Sequence, residues 1–356
     1  MDHEAEIVSE YWAKRVKEFS GKNTGLFWWD AGPDIFAYRN QRISGDPTSD
    51  WVDYTLRKHF AGKLPLARCL SLGCGGGRLE RQLAKLGAFQ HCDAYDVSEG
   101  AIRQAKEIAQ AKGLNHISYY VTDINSISLP EGVYDAVWIA MAMHHFQNLE
   151  HVCEQIKKSL KPGGLLILEE YVGPNRFQFS ARQKEVTNLC LALLPPRYRK
   201  KAVQAMQREL HAPTQKGIKW LVRRLIDKLQ DGSLRRAVQR RINAFQARRK
   251  GQPLEKQIVN FPTVRDVIAA DPSESIRSEE ILQVVGHYFE IVENKGWGGN
   301  ILQFLLADIA GNFSEHDPHS RNFLQMLIRI EDAFVASGEF QSDFAYVVAR
   351  PRAPNG

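Results

Sequence analysis

Short apolar runs alternate with amphipathic segments between residues 69 and 172, which is the pattern of a parallel β-sheet covered by helices on both faces. The runs with the length of buried strands lie at residues 69–72, 91–96, 117–121, 136–140 and 165–169. Apolar residues recur at helical spacing at residues 78–86, 99–112 and 149–160. The sequence Lys161-Pro162-Gly163-Gly164 should end the last of these helices and form a tight turn before the next strand.

The rest of the chain extends this core, which we place at residues 61–172. Residues 1–60 are rich in aromatic side chains and predict a helical lid, and residues 173–277 predict a mostly helical insertion. Residues 278–356 should complete the core, with a helix at 278–286, strands at 287–292 and 344–349, and a helical insertion at 296–341. We therefore expect a doubly wound α/β fold, a seven-stranded and mostly parallel sheet with a final antiparallel strand.

Positive charge is concentrated in the first insertion. The net charge is +6 at pH 7, but residues 197–250 hold 17 Lys and Arg against three acidic residues. The remainder of the chain is therefore net negative. The basic region predicts either the solvated face of amphipathic helices or a surface for an acidic acceptor molecule.

Cysteine spacing and hydropathy indicate the cellular compartment that we expect for the protein. The five cysteines are scattered without the spacing of a zinc site, so we expect no metal and a reducing, cytoplasmic environment. The amino terminus lacks the basic-then-apolar order of a secretory signal, and no apolar run reaches the ~20 residues of a membrane span.

A glycine-rich sequence follows the first predicted strand and leads directly into a helix. It reads Gly73-Cys74-Gly75-Gly76-Gly77, and glycines there let a ligand approach the backbone and the helix N–H groups. The dinucleotide pattern GxGxxG needs glycine at position 78, where this chain has Arg78, so a nicotinamide cofactor is disfavoured. Asp96 ends the second strand 19 residues after Gly77, where a carboxylate can accept both hydroxyls of a ribose.

Two further motifs follow the third and fourth strands. Asp123 and Ile124 are suited to the amino group and the ring of an adenine. His144 and His145 lie in a Met-His-His-Phe sequence after the fourth strand. They predict either a catalytic base or histidines that pack on the edge of the sheet.

In this order and spacing the motifs resemble the class I, Rossmann-like S-adenosylmethionine-dependent methyltransferases, in particular the small-molecule group with a His-His-Phe element. The resemblance is close over residues 70–172 and implies methyl transfer to a small molecule of secondary or cell-envelope metabolism, on a hydroxyl or a carboxylate. By this resemblance, the residues expected to contact the cofactor are Ser71, Gly73, Cys74, Gly75, Gly77, Asp96, Val97, Asp123, Ile124, Ala140 and Met141. The family usually has an acidic residue two positions before the first glycine, where this chain has Ser71.

The remaining site residues are candidates for chemistry and for acceptor binding. A hydroxyl acceptor needs a base, for which the candidates are His144, His145 and Glu170, whereas a carboxylate acceptor needs only positioning. The candidates for contact with the acceptor are Tyr11, Trp28, Tyr171, Trp297 and Asn300.

Three alternatives fit parts of the sequence. The basic insertion also fits a carrier-bound or lipid-linked acceptor at a membrane surface, or RNA, which is disfavoured because no nucleic-acid module accompanies the core. A non-catalytic cofactor-binding regulator would keep Gly73, Gly75 and Asp96 but would not need the aromatic lid. A nucleotide-dependent oxidoreductase or epimerase would share the sheet, but Arg78 and the His-His-Phe element argue against it.

Overall fold

The computed structural model describes residues 32–201, 242, 254–314 and 316–352. Within these ranges the strands are β1 (Leu66–Leu72), β2 (Phe89–Asp96), β3 (Ile117–Val121), β4 (Tyr134–Ala140), β5 (Leu160–Tyr171), β6 (Phe289–Gly296) and β7 (Phe344–Pro351). They form one seven-stranded sheet in the order β3-β2-β1-β4-β5-β7-β6. β1 to β5 are parallel, and β7 is antiparallel to both β5 and β6. The predicted fold class is confirmed.

Helices cover both faces of the sheet. They are α1 (Pro33–Ser44), α2 (Trp51–His59), α3 (Arg78–Lys85), α4 (Glu99–Ala111), α5 (Leu149–Ser159), α6 (Ala181–Leu193), α7 (Val264–Ala270), α8 (Ile281–Tyr288), α9 (Leu302–Leu306) and α10 (Pro318–Ala336). None of the helices in the described residues is long and apolar enough to cross a bilayer.

The two faces of the sheet bury separate sets of side chains, because successive residues of a strand point in opposite directions. On one face Cys69 of β1 and Trp138 of β4 are buried in a core that also includes residues of α1, α2 and α3. On the other face Leu70 and Val137 are buried in a core that includes residues of α5 and α8. The strand ends between these two layers are therefore held in fixed positions.

Three predicted boundaries are wrong. The late helix continues through His287 and Tyr288, so β6 begins only at Phe289. The first residues predicted for that helix, Ser278–Glu280, form a 3-10 turn instead. The sequence at residues 161–164 does not separate a helix from a strand, because β5 begins at Leu160. Leu160 pairs with Tyr134 and Leu165 with Ala136, so the glycines form an irregularity within the strand.

One carboxylate fastens α2 to the edge of the sheet. Glu293 of β6 accepts hydrogen bonds from Tyr54 Oη at 2.7 Å and Lys58 Nζ at 2.9 Å, and His59 Nε2 lies 2.8 Å from its other oxygen. Burial raises the pKa of Glu293, but the hydrogen bonds from Tyr54, Lys58, His59 and Lys295 outweigh burial and hold it at about 2. The ionised form is therefore the one that the fold stabilises.

Candidate active site

The glycine loop connects β1 to α3 at the carboxyl edge of the sheet. Gly73 N and Cys74 N both donate to the carbonyl of Tyr95, at 2.8 and 3.1 Å, so the loop is fixed to the end of β2. Gly73 has φ +70°, and a Cβ built there would overlap the side chain of Ala142. Gly75 has φ +50°, and its Cβ would meet nothing within 4 Å. The loop is thus closely packed at Gly73 and open at Gly75.

Asp96 joins the end of β2 to this loop. Its Oδ2 accepts the Gly75 N–H at 2.8 Å and its Oδ1 accepts the Ser98 N–H at 2.8 Å. Burial raises the pKa of Asp96, and these two backbone donors lower it. Because each oxygen keeps a further lone pair, the carboxylate can still accept hydrogen bonds from a ligand beside the open side of Gly75.

The end of β3 supplies a second acidic side chain and an apolar one. Asp123 caps a 3-10 turn by accepting the Asn125 backbone N–H at 2.9 Å. Ile124 is buried. Val97 follows Asp96 directly, and Ala140 ends β4, so all four lie at the carboxyl ends of parallel strands, where ligands bind in open α/β sheets. Met141 has φ +52° and is exposed.

Beneath the glycine loop, Ser71 is paired with a residue that the sequence pattern did not reveal. Ser71 Oγ donates a hydrogen bond to Glu80 of α3, and neither side chain is exposed to solvent. Burial raises the pKa of Glu80 to about 7. A carboxyl group therefore lies next to position 71 although residue 71 is a serine.

The histidine pair lies at the end of β4, against the end of β5. Glu170 is fully buried, and its Oε2 accepts the backbone N–H groups of Ala142 at 2.8 Å and Met143 at 2.6 Å. Its Oε1 accepts the Tyr171 N–H at 2.7 Å and is hydrogen-bonded to His144 Nδ1. With four donors on one carboxylate, Glu170 fixes the orientation of the His144 ring.

A loop between α7 and α8 completes this cluster. His144 Nε2 lies 3.5 Å from Glu274 Oε1, and His145 Nδ1 lies 2.9 Å from Ser273 Oγ and 3.6 Å from Asp271. Burial lowers the pKa of His144, but the charge and hydrogen bond of Glu170 outweigh burial and raise it to about 8. Burial and the neighbouring His144 lower the pKa of His145. Asp271 and Glu274 were missed because they lie in the predicted helical insertion, residues 173–277, where no motif links them to the histidines.

The candidate acceptor-binding residues lie in different parts of the fold. Tyr171 packs edge-on to His144, with 6.0 Å between ring centroids, and its Oη donates to the Pro174 carbonyl at 3.1 Å. Trp297 is buried against Phe344, with 4.6 Å between rings, and the Asn300 amide donates to the Gln341 carbonyl. Of the three candidates within the described residues, Tyr171 therefore packs against the histidine pair. Tyr11, Trp28 and nearly all of the basic region lie outside the described residues.

The central part of the chain is similar to known methyltransferases. The family described as "Methyltransferase domain" matches residues 70–168. The 27-O-demethylrifamycin SV methyltransferase of Amycolatopsis mediterranei is 27% identical over 121 residues, which make up 33% of this chain and 44% of that protein. The ubiquinone/menaquinone biosynthesis C-methyltransferase UbiE of Hydrogenovibrio crunogenus is 26% identical over 169 residues, 47% of this chain and 62% of that protein.

Among solved structures, phosphoethanolamine N-methyltransferase 2 of Haemonchus contortus with S-adenosyl-L-methionine is 14% identical. It matches with a TM-score of 0.43 over 95% of this chain and 60% of that chain. The chain spans less than two thirds of the length of each of these proteins. Their names differ in the acceptor molecule, so the likeness does not identify the acceptor.

Proposed function

We propose, from the premise that residues 70–168 form a class I S-adenosylmethionine-dependent methyltransferase domain, that the protein transfers the methyl group of this cofactor to a small-molecule acceptor. The observation that carries the proposal is the hydrogen bond between Asp96 and the Gly75 N–H, beside the open side of the loop. It places a carboxylate at the carboxyl edge of the sheet, next to a backbone that a ligand can approach.

The residues present fit this cofactor. Gly73, Cys74 and Gly75 would hold its methionine part, Asp96 its ribose hydroxyls, and Asp123 with Ile124 its adenine. Asp96 retains acceptor capacity on both oxygens, and a Cβ at Gly75 would fill open space. When bound, the cofactor supplies a methyl group on a sulfonium, and the protein has to align the acceptor with that carbon.

We propose that the reacting atom of the acceptor is an oxygen and that it faces His144 and His145. The support is the pair of imidazoles in the 3-10 turn that follows β4, of which His144 is buried, because an imidazole there could accept the proton of a hydroxyl. Glu170, one of the three catalytic candidates, acts here as a positioning residue, because backbone N–H groups and His144 already occupy its oxygens. Tyr171 would form the wall beside the acceptor.

We also propose that the acceptor carries negative charge, as a phosphorylated, carboxylated or lipid-linked molecule. The support is the excess of Lys and Arg in residues 197–250. Acceptor affinity should then fall steeply as salt is raised from ~50 to ~200 mM, because salt screens exposed charges. An affinity that does not depend on salt would contradict this part of the proposal.

Calorimetric titration with S-adenosylhomocysteine tests the assignment. The wild type should bind it with one site, should not bind NAD, and should lose affinity on Asp96→Ala. Asp53→Ala is a matched control, because Asp53 lies in α2 and its side chain forms an ion pair with Arg57 of the same helix. No heat of binding to the wild type, or equal affinities of the wild type and Asp96→Ala, would contradict the proposal.

A further inference from the structure

We propose that His144, His145 and Glu274 form a binding site for a divalent transition-metal ion. One ligand atom from each of these three side chains lies within 4.8 Å of the other two. Only the catalytic role of the ion rests on the proposed function. The site itself is defined by the histidines, Glu274 and the groups that orient them.

The hydrogen bonds of His144 determine which of its nitrogens is available. Glu170 accepts three backbone N–H groups, as an ionised carboxylate does, and an ionised carboxylate can only accept. The proton that the two groups share at His144 Nδ1 therefore belongs to the imidazole. In the neutral ring the lone pair is then on Nε2, which is the atom that faces Glu274 at 3.5 Å.

A hydroxyl group determines in the same way which nitrogen of His145 is available. Ser273 Oγ donates its single proton to Asp271 Oδ1 at 2.7 Å. The contact of 2.9 Å between Ser273 Oγ and His145 Nδ1 must therefore use a proton of the histidine. Nδ1 of both rings is thus a donor to an oxygen, and this leaves Nε2 as the ligand atom, the arrangement usual for metal-binding histidines.

The third ligand is held in place by its own loop. Arg176 Nη1 donates to the carbonyls of Pro272 at 2.6 Å and Glu274 at 2.8 Å, and the Ile276 N–H donates to the His144 carbonyl at 3.1 Å. Ser275 Oγ donates to Glu274 Oε1 at 3.0 Å. The Glu274 carboxylate is therefore fixed relative to the His144 ring before any ion binds.

Several acidic side chains converge on the two rings. Within the part of the chain that the structure describes, Glu170 and Glu274 both pair with His144, and Asp271 lies 3.6 Å from His145 Nδ1. Carboxylates on the Nδ1 side of metal-binding histidines orient the rings and raise the basicity of Nε2 as a ligand.

The donor atoms indicate the class of ion. Two imidazole nitrogens and one carboxylate oxygen suit Zn²⁺, Fe²⁺, Co²⁺ or Mn²⁺, while Mg²⁺ and Ca²⁺ prefer oxygen ligands throughout. Three protein ligands leave an open position, which a hydroxyl oxygen of the acceptor could take. With the ion bound, His144 and His145 would act as its ligands and not as the base. The ion would lower the pKa of that hydroxyl, its proton would pass to water, and the resulting oxyanion would attack the methyl carbon while the carbon–sulfur bond breaks onto sulfur.

Titration of chelator-treated full-length protein with Co²⁺ and Zn²⁺ tests the site without any turnover. We expect one equivalent of Co²⁺ to bind with visible ligand-field absorption, and Zn²⁺ to displace it. His144→Ala, His145→Ala and Glu274→Gln should each lower Zn²⁺ affinity by at least ~10-fold, and Glu170→Gln by ~10- to 100-fold, since it alters the group that orients the His144 ring. His287→Ala is the control, because this exposed histidine of α8 lies outside the cluster.

Absence of stoichiometric Co²⁺ or Zn²⁺ binding to the wild type would overturn the site. Affinity that is unchanged in Glu274→Gln would also overturn it. Titration with S-adenosylhomocysteine on the same samples separates this failure from that of the proposed function. A protein that binds the nucleoside but no metal refutes only the metal site.

Discussion

Two glycines of the β1–α3 loop should respond differently to the same substitution. Gly73→Ala adds a Cβ that overlaps Ala142, whereas Gly75→Ala adds one in open space. Gly113, at the end of α4 with φ +68° and nothing within 4 Å, is a matched control that carries the backbone strain alone. The three variants therefore separate strain, internal packing and ligand contact.

The expected magnitudes follow from these surroundings. An alanine at positive φ costs about 1–2 kcal/mol in each variant, because its Cβ crowds the following carbonyl. Gly73→Ala adds overpacking of about 1–3 kcal/mol, since Ala142 belongs to a buried core. We expect the free energy of unfolding to fall by about 2–5 kcal/mol for Gly73→Ala and by about 1–2 kcal/mol for Gly75→Ala and Gly113→Ala.

Denaturant unfolding and titration with S-adenosylhomocysteine measure the two effects separately. Gly75→Ala should lose ligand affinity by ~10-fold or more while its stability matches that of Gly113→Ala, because its Cβ occupies space that a ligand needs. Equal stabilities of Gly73→Ala and Gly113→Ala would refute the packing argument. Wild-type affinity in Gly75→Ala would refute the placement of the ligand beside this loop.

Two further predictions concern the histidine pair and the edge of the sheet. His144→Ala should lower turnover of the native acceptor by ~10²- to 10⁴-fold while S-adenosylhomocysteine affinity stays unchanged, and unchanged turnover in steady-state assays would remove His144 from the chemistry. Glu293 has its pKa lowered from 4.5 to about 2, so its ionisation stabilises the fold above pH ~4.5, and this stabilisation is lost as the pH falls towards 2. Glu293→Gln should therefore be less stable than the wild type by about 1–3 kcal/mol at pH 6, and the gap should close towards pH 2; a gap independent of pH in denaturant titrations would refute this.

Local patterns predicted the carboxyl ends of the parallel strands well, even for the edge strand β3. Residues 117–121 were predicted as a strand and form β3 with the same bounds. The amino ends of strands were less accurate, because β5 extends back to Leu160 through a Pro-Gly-Gly irregularity that is stabilised by pairing with Tyr134. That pairing is a long-range contact, and local turn propensity gives no information about it.

The histidine cluster shows the same limit at the site. The sequence singled out His144, His145 and Glu170, each at the end of a strand, because strand ends can be located from hydrophobic pattern. Glu274 comes from a loop far along the chain, and no local spacing links it to the histidines. The expectation of no metal rested on spacing alone, so it could not take account of ligands brought together by the tertiary fold.

Hydrogen–deuterium exchange with and without S-adenosylhomocysteine tests the central claim most directly. If the nucleoside binds where β1, β2 and β3 end, amides at residues 73–77, 96–98 and 123–125 should gain protection together, while those of α10, far along the chain, should not change. Protection confined to other segments, or none at saturating ligand, would contradict the account.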